Sequence, residues 1–136
     1  METRKVVILG AGHVGSHCAY ALAAGGVCGD VVLVDVIPEK AYAQAMDVSD
    51  SVSLMERPVR VRSGGYEECG DADLVVVAIG EPRKPGQTRL DLLGRSVEQL
   101  KELAGVLRPL HITCPVVTVT NPADIVADYL RKALGM

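Results

Sequence analysis

KVVILGAGHVG, Lys5 to Gly15, decides the fold. Lys5 to Leu9 is a short apolar run of mostly β-branched residues, the pattern of a strand buried on both faces. Gly10, Gly12 and Gly15 then fall at G-x-G-x-x-G spacing, and Val14 to Ala24 reads as a helix ended by Gly25 and Gly26. In a strand–turn–helix of this kind Gly10 permits the tight turn, Gly12 lets the backbone approach a pyrophosphate, and Gly15 lets the helix pack close to the sheet. Phosphates held there meet free N–H groups at a helix N-terminus. Alone, the glycines read equally well as ordinary turns; the strand before them and the helix after them supply the meaning.

The next strand, Val31 to Asp35 (VVLVD), adds an acid 20 residues after Gly15. A carboxylate there accepts hydrogen bonds from the adenine-ribose hydroxyls and repels a 2′-phosphate, which favours NAD over NADP. The plainer reading of Asp35 is a helix cap or a solvated turn residue. His13 and Val14 sit inside the glycine turn and belong to the cofactor-contacting set. His13 reads as a variable position beside phosphate, not as a catalytic base.

Farther along, strand-like and helix-like segments alternate. Pro38 suits a helix start, where its missing N–H has no partner to lose. After it Ala41, Ala45, Val48, Val52 and Met55 recur at helical spacing. Val59 to Arg62 is a short third strand, and Leu74 to Ile79 (LVVVAI) a fully apolar, central fourth. Gly80 to Thr88 is a loop. Leu90, Leu93, Val97, Leu100, Ala104 and Leu107 form one helical stripe. Val116 to Val119 is the fifth strand, and Ala123 to Leu134 a last helix with Ile125, Val126, Tyr129 and Leu130 inward. This order implies right-handed crossovers and an α/β fold, a Rossmann doubly wound parallel sheet ordered 3-2-1-4-5. It forms one dinucleotide-binding domain over residues 1–136, with no linker or repeat, and the usual sixth strand does not fit before residue 136.

Composition agrees. The chain is 49% hydrophobic without Trp or Phe, so Val, Leu and Ala must fill the core. A net charge of −3 with no basic run argues against nucleic acid. Apolar runs of about six residues are far short of a membrane span. The N-terminus, METRKVVILG, runs directly into the glycine motif and reads as a strand, not a signal peptide. Cys18, Cys28, Cys69 and Cys114 form no C-x-x-C pair. They read as idle thiols in a reducing cytosol, which makes a cytoplasmic chain the expectation and metal binding not.

Two further clusters carry chemistry. In GEPRKPGQTR, Gly80 to Arg89, the cations Arg83, Lys84 and Arg89 lie within seven residues. The loop follows strand four, at the carboxyl edge where a nucleotide lies, and Arg grips carboxylates in a bidentate fork. By charge alone it could be a solvated basic loop. TNPAD, Thr120 to Asp124, follows strand five; Asn121 can donate and accept at the same edge, and Asn-Pro allows a cis bond. By spacing alone it could be a turn and helix start.

Taken in order, GAGHVG, VVLVD, AMDVSD, PRKPGQTRLDLL and TNPAD resemble the lactate/malate dehydrogenase family. The resemblance covers essentially the whole chain and matches the N-terminal half of such enzymes. It implies that NAD is the cofactor and that Gly80 and Asn121 join the cofactor-binding positions. It implies that Arg89 closes over the substrate and polarises its carbonyl, and that Asn121 hydrogen-bonds the substrate oxygen. Arg83 matches the position that selects the substrate side chain, usually glutamine in lactate enzymes and arginine in malate enzymes. A guanidinium pairs with the second carboxylate of oxaloacetate; a methyl group in its place would leave a buried cation unpaired. PRKPG therefore points to malate, while TRLDLL looks more like the lactate branch. The expectation is a malate enzyme of lactate-dehydrogenase-like type, the alternative a lactate or other 2-hydroxy-acid enzyme with an unusual loop. Three positions depart from the family pattern: Ile79 in AIG adds bulk beside the cofactor path, Ser96 stands for a frequent asparagine, and Asp50 for a frequent histidine of lactate enzymes.

The family's general base, a histidine with its aspartate, and the arginine for the common carboxylate belong to a second half. His17, on the first helix, and His111, at the amino edge, cannot take that role. The expectation is a chain short of that substrate domain, which binds NAD but does not turn over malate by itself. Strand five would then be an open apolar edge inviting self-association and a homo-oligomer, with the Leu90–Leu107 stripe as a second contact face. A non-catalytic NAD-binding regulator would explain the length but not the loop or TNPAD; a methyltransferase fails on the same two clusters.

Overall fold

The computed structural model describes residues 3–136; Met1 and Glu2, the start of the stretch read as leading into strand one, lie outside them. Five strands, β1 (Lys5–Leu9), β2 (Asp30–Val34), β3 (Arg60–Ser63), β4 (Leu74–Val77) and β5 (Val116–Thr118), form one sheet. All pairings are parallel and the order is β3-β2-β1-β4-β5, as the alternating pattern predicts. β1 pairs with β2 from Lys5↔Asp30 to Leu9↔Val34, and on its other side with β4 from Val6↔Leu74 to Leu9↔Val77. Between β1 and β4 the winding reverses, so a crevice opens at their carboxyl ends.

Four helices cover the sheet: α1 (His13–Gly25), α2 (Pro38–Val52), α3 (Arg89–Leu107) and α4 (Ala123–Leu134). Alternate strand residues point to opposite faces. Val6, Ile8, Val31 and Leu33 meet α1 and α2, which approach through Ala19, Ala23, Ala41 and Ala45. Val7, Leu9, Val32 and Val34 meet Leu100, Leu103 and Leu107 of α3 and Val126 and Leu130 of α4. Small side chains on the first pair of helices let them sit close; leucines fill the wider gap opposite.

The structure corrects three expectations of packing. Leu90, Leu93 and Val97 are exposed, so only the carboxyl half of the α3 stripe is buried. A helix of 19 residues runs about 28 Å, whereas the four residues of β4 span about 13 Å; the first turns of α3 overshoot the sheet. Ile125 is exposed as well, because the inward face of α4 is set by Val126 and Leu130. Met55 packs against the core, but from beyond the end of α2, whose last turn is closed by the Ser53 N–H donating to Asp50.

Sequence reading left residues 64–73 unassigned. They hold a short 3-10 helix, Tyr66–Asp71, which builds an ion network at the amino edge of the sheet. Arg62 donates to Asp30 at 2.9 Å and to Glu68 at 2.9 Å, and Lys5 donates to Glu68 at 2.9 Å and to Asp71. The two cations hold the Glu68 carboxyl down at about 2.

Candidate functional site

The glycine turn forms at the crevice between β1 and β4. The Gly10 N–H donates to the Val34 carbonyl at 2.7 Å, and the Ala78 N–H to the Leu9 carbonyl at 2.8 Å. Gly10 has φ 106°, and a Cβ there would come within 2.3 Å of the Ala78 oxygen. At Gly15 a Cβ would lie 1.7 Å from the Gly10 oxygen, with Ile8 behind it. These two glycines therefore serve the close passage of chain on chain. Gly12 differs: nothing of the protein lies within 4 Å of where its Cβ would be. It is also the N-cap of α1, with no side-chain cap and no acid in the first turn of that helix. The space in front of Gly12 and the uncapped helix start suit a pyrophosphate.

Asp35 follows β2 directly. One carboxylate oxygen accepts from the buried Ala11 N–H at 2.9 Å, the other from the Ile37 N–H at 2.9 Å. The acid thus ties the glycine turn to the start of α2 and still offers lone pairs to the cleft, since each oxygen accepts about two hydrogen bonds. A cleft of about 310 Å³ opens here, lined by Gly10, Gly12, Asp35, Lys40 and Gly80. Its apolar walls are Val36 and Ile37 on one side and Ile79, Leu103 and Val106 on the other. Tyr66, Ala78, Glu81, Gln99 and Glu102 complete it and were not foreseen from sequence as lining residues. Burial and the nearby Asp35 and Glu102 carboxylates push the Tyr66 hydroxyl upward in pKa.

The remaining sequence-predicted residues do not line this cleft. His13 and Val14 are exposed on the first turn of α1. Arg83 and Lys84 are exposed on the Gly80–Thr88 loop, and Arg89 is the first residue of α3, a correction to its placement on the loop. Thr88 caps that helix with a reciprocal pair to Asp91, at 3.1 and 3.2 Å, so the cap pulls Arg89 into helical geometry. Among the described residues none of these three cations forms an ion pair. Asn121 is exposed past β5, and its bond to Pro122 is cis. The buried Thr120 donates to the Ile79 carbonyl at 2.7 Å, fastening this turn to the exit of β4. Loop cations and Asn121 thus flank the cleft's carboxyl edge without entering it.

A doubly wound sheet, a glycine turn at its switch point and an acid after the second strand define a dinucleotide-binding α/β domain. Over residues 4–136 the chain matches the family model described as lactate/malate dehydrogenase, NAD binding domain. The chain belongs to the lactate/malate dehydrogenase family, as its NAD-binding domain. It is 41% identical over 135 residues to the L-lactate dehydrogenase of Fusobacterium nucleatum, covering 99% of this chain and 42% of that protein. The minor L-lactate dehydrogenase of Enterococcus mundtii, solved with ligands bound, superposes with a TM-score of 0.92 at 40% identity, over 98% of this chain and 43% of that one. The malate dehydrogenase of Picrophilus torridus gives 0.89 at 30% identity, over 98% and 43%. The chain thus spans less than half the length of the relatives it matches.

Proposed function

We propose that this chain is the cofactor-holding part of a dehydrogenase that exchanges hydride between NAD and a small 2-hydroxy/2-oxo acid, with lactate and pyruvate as the pair. One observation carries the reading: a dinucleotide cleft flanked at one edge by the loop carrying Arg83, by Arg89 at the start of α3, and by Asn121. Curated relatives at 41% and 36% identity carry the L-lactate name, which supports the lactate side over the malate expectation. Bound NAD supplies the hydride acceptor. On this reading Gly12 and the start of α1 hold its pyrophosphate, Asp35 accepts from its ribose, Arg89 polarises the substrate carbonyl, and Asn121 orients the substrate oxygen. Arg83 favours a second reading, a dicarboxylate such as oxaloacetate, because its guanidinium would otherwise meet a methyl group in a closed site.

Proton transfer needs an acid–base group, which the family resemblance assigns to a second half. The 136-residue chain alone is therefore expected to bind NADH and to leave it unoxidised with either pyruvate or oxaloacetate; turnover at family-like rates would overturn this. In the enzyme carrying that second half, the ratio of kcat/KM for pyruvate and oxaloacetate decides the substrate. A preference for oxaloacetate that Arg83→Gln reverses would replace the lactate reading with the dicarboxylate one.

A further inference from the structure

Besides Lys40, Tyr66 and Glu81, the cleft is lined by two polar side chains of α3 that the phosphate and ribose do not use. Gln99 and Glu102 are spaced i, i+3 on α3, and with Leu103 and Val106 they form the face that this helix turns to the cleft. The side-chain hydrogen bonds of α3 run through Thr88, Asp91, Arg95 and Ser96, which leaves Gln99 and Glu102 unpaired among the described residues. With pyrophosphate at Gly12 and ribose at Asp35, the base falls between Val36 and Ile37 on one wall and Leu103 and Val106 on the other. An apolar slot of this kind accepts a flat ring and does not identify it. Hydrogen-bonding groups at its rim do.

We propose that Gln99 and Glu102 read the base, Gln99 holding the N1 position and Glu102 selecting a 6-amino purine over a 6-oxo purine. The inference rests on the dinucleotide reading of the cleft. An ionised Glu102 only accepts hydrogen bonds, whereas the Gln99 amide accepts through its oxygen and donates through its nitrogen. Adenine presents a 6-amino donor beside the N1 acceptor, which matches a carboxylate and an amide side by side. Hypoxanthine presents an O6 acceptor beside an N1–H donor. Its O6 faces the carboxylate, a repulsive contact, whereas the Gln99 amide turns over to accept from N1–H, so the discrimination falls to Glu102. Tyr66 lines the same cleft, and burial, with smaller contributions from Asp35, Cys69 and Glu102, raises its hydroxyl in pKa.

The test is calorimetric titration of the 136-residue chain with NADH and with its hypoxanthine analogue, nicotinamide hypoxanthine dinucleotide in reduced form. Paired contacts to a base edge discriminate by about 5- to 150-fold, and a solvent-open rim belongs at the low end. The analogue is expected to bind about fivefold to tenfold more weakly. Glu102→Ala should bring the two affinities closer, whereas Gln99→Ala should weaken both ligands alike; both variants are helix-compatible. Glu102→Gln, which supplies an N–H for O6, should strengthen binding of the analogue. Equal affinities in the unaltered chain, or a preference unchanged in Glu102→Ala with native circular dichroism, would overturn the proposal. Failure of NADH and of ADP-ribose alike to bind the folded chain would instead overturn the reading of the cleft on which it rests.

Discussion

Replacing Asp35 separates two duties that the sequence motif merges. In the structure its carboxylate accepts from the Ala11 and Ile37 N–H groups, both at 2.9 Å. Ala11 is fully buried and Ile37 exposed. In Asp35→Ala the Ile37 N–H rehydrates at little cost, while the Ala11 N–H loses its acceptor inside the protein. An orphaned buried donor costs about 1–3 kcal/mol, and a hydrogen bond to a charged group contributes about 1.5–3. The two figures describe one interaction, so the expected loss is about 2–3 kcal/mol. At roughly 3–4 °C per kcal/mol for a chain of this size, Tm should fall by about 6–12 °C. Asp35→Asn keeps one acceptor but turns an amide donor toward the other N–H, and should lose about half as much. Urea unfolding followed by circular dichroism measures both, with exposed Lys40→Ala as a control expected within about 0.5 kcal/mol of the parent. If Asp35→Ala unfolds at the parental urea midpoint, the carboxylate does not hold the glycine turn, and its role is confined to ligand.

The glycines and the amino-edge ions give two more tests. Gly15→Ala drives a Cβ to 1.7 Å from the Gly10 oxygen and should prevent or severely impair folding, whereas Gly12→Ala meets nothing within 4 Å and should fold with native circular dichroism while losing NADH affinity by calorimetry. Glu68 is held at about 2 in the folded chain, below its ordinary value near 4.3. A depressed carboxyl stabilises above the unfolded value and loses that contribution as pH falls through the folded one. Urea midpoints should therefore decline between about pH 4.5 and pH 2, and Glu68→Gln should flatten that decline.

Strand positions and sheet order were legible because fully buried parallel strands must be continuously apolar, and the Val-rich runs of β1, β2 and β4 have no other reading. Gly10, Gly12 and Asp35 were legible for a related reason: they lie one to three residues past a strand end, where sheet topology forces convergence. Periodicity could not show how far the sheet extends beneath α3, so Leu90, Leu93 and Val97 read as core although they are exposed. Tyr66, Gln99 and Glu102 escaped notice because their meeting depends on the path of residues 64–73 and on the face α3 turns to the cleft. The ion network of Lys5, Asp30, Arg62 and Glu68 joins residues up to 63 apart, and no local pattern marks it.

That network has a consequence for how this domain can vary. The two rims of the sheet, about 15 Å apart along the five residues of β1, follow opposite policies. At the amino rim fixed charges are matched with one another. At the carboxyl rim charge and backbone donors are left for a visitor. Substitutions beyond about 10 Å with no shared partners act nearly independently. Robustness can therefore drift at one rim while ligand preference drifts at the other, so that lineages can exchange durability and selectivity separately.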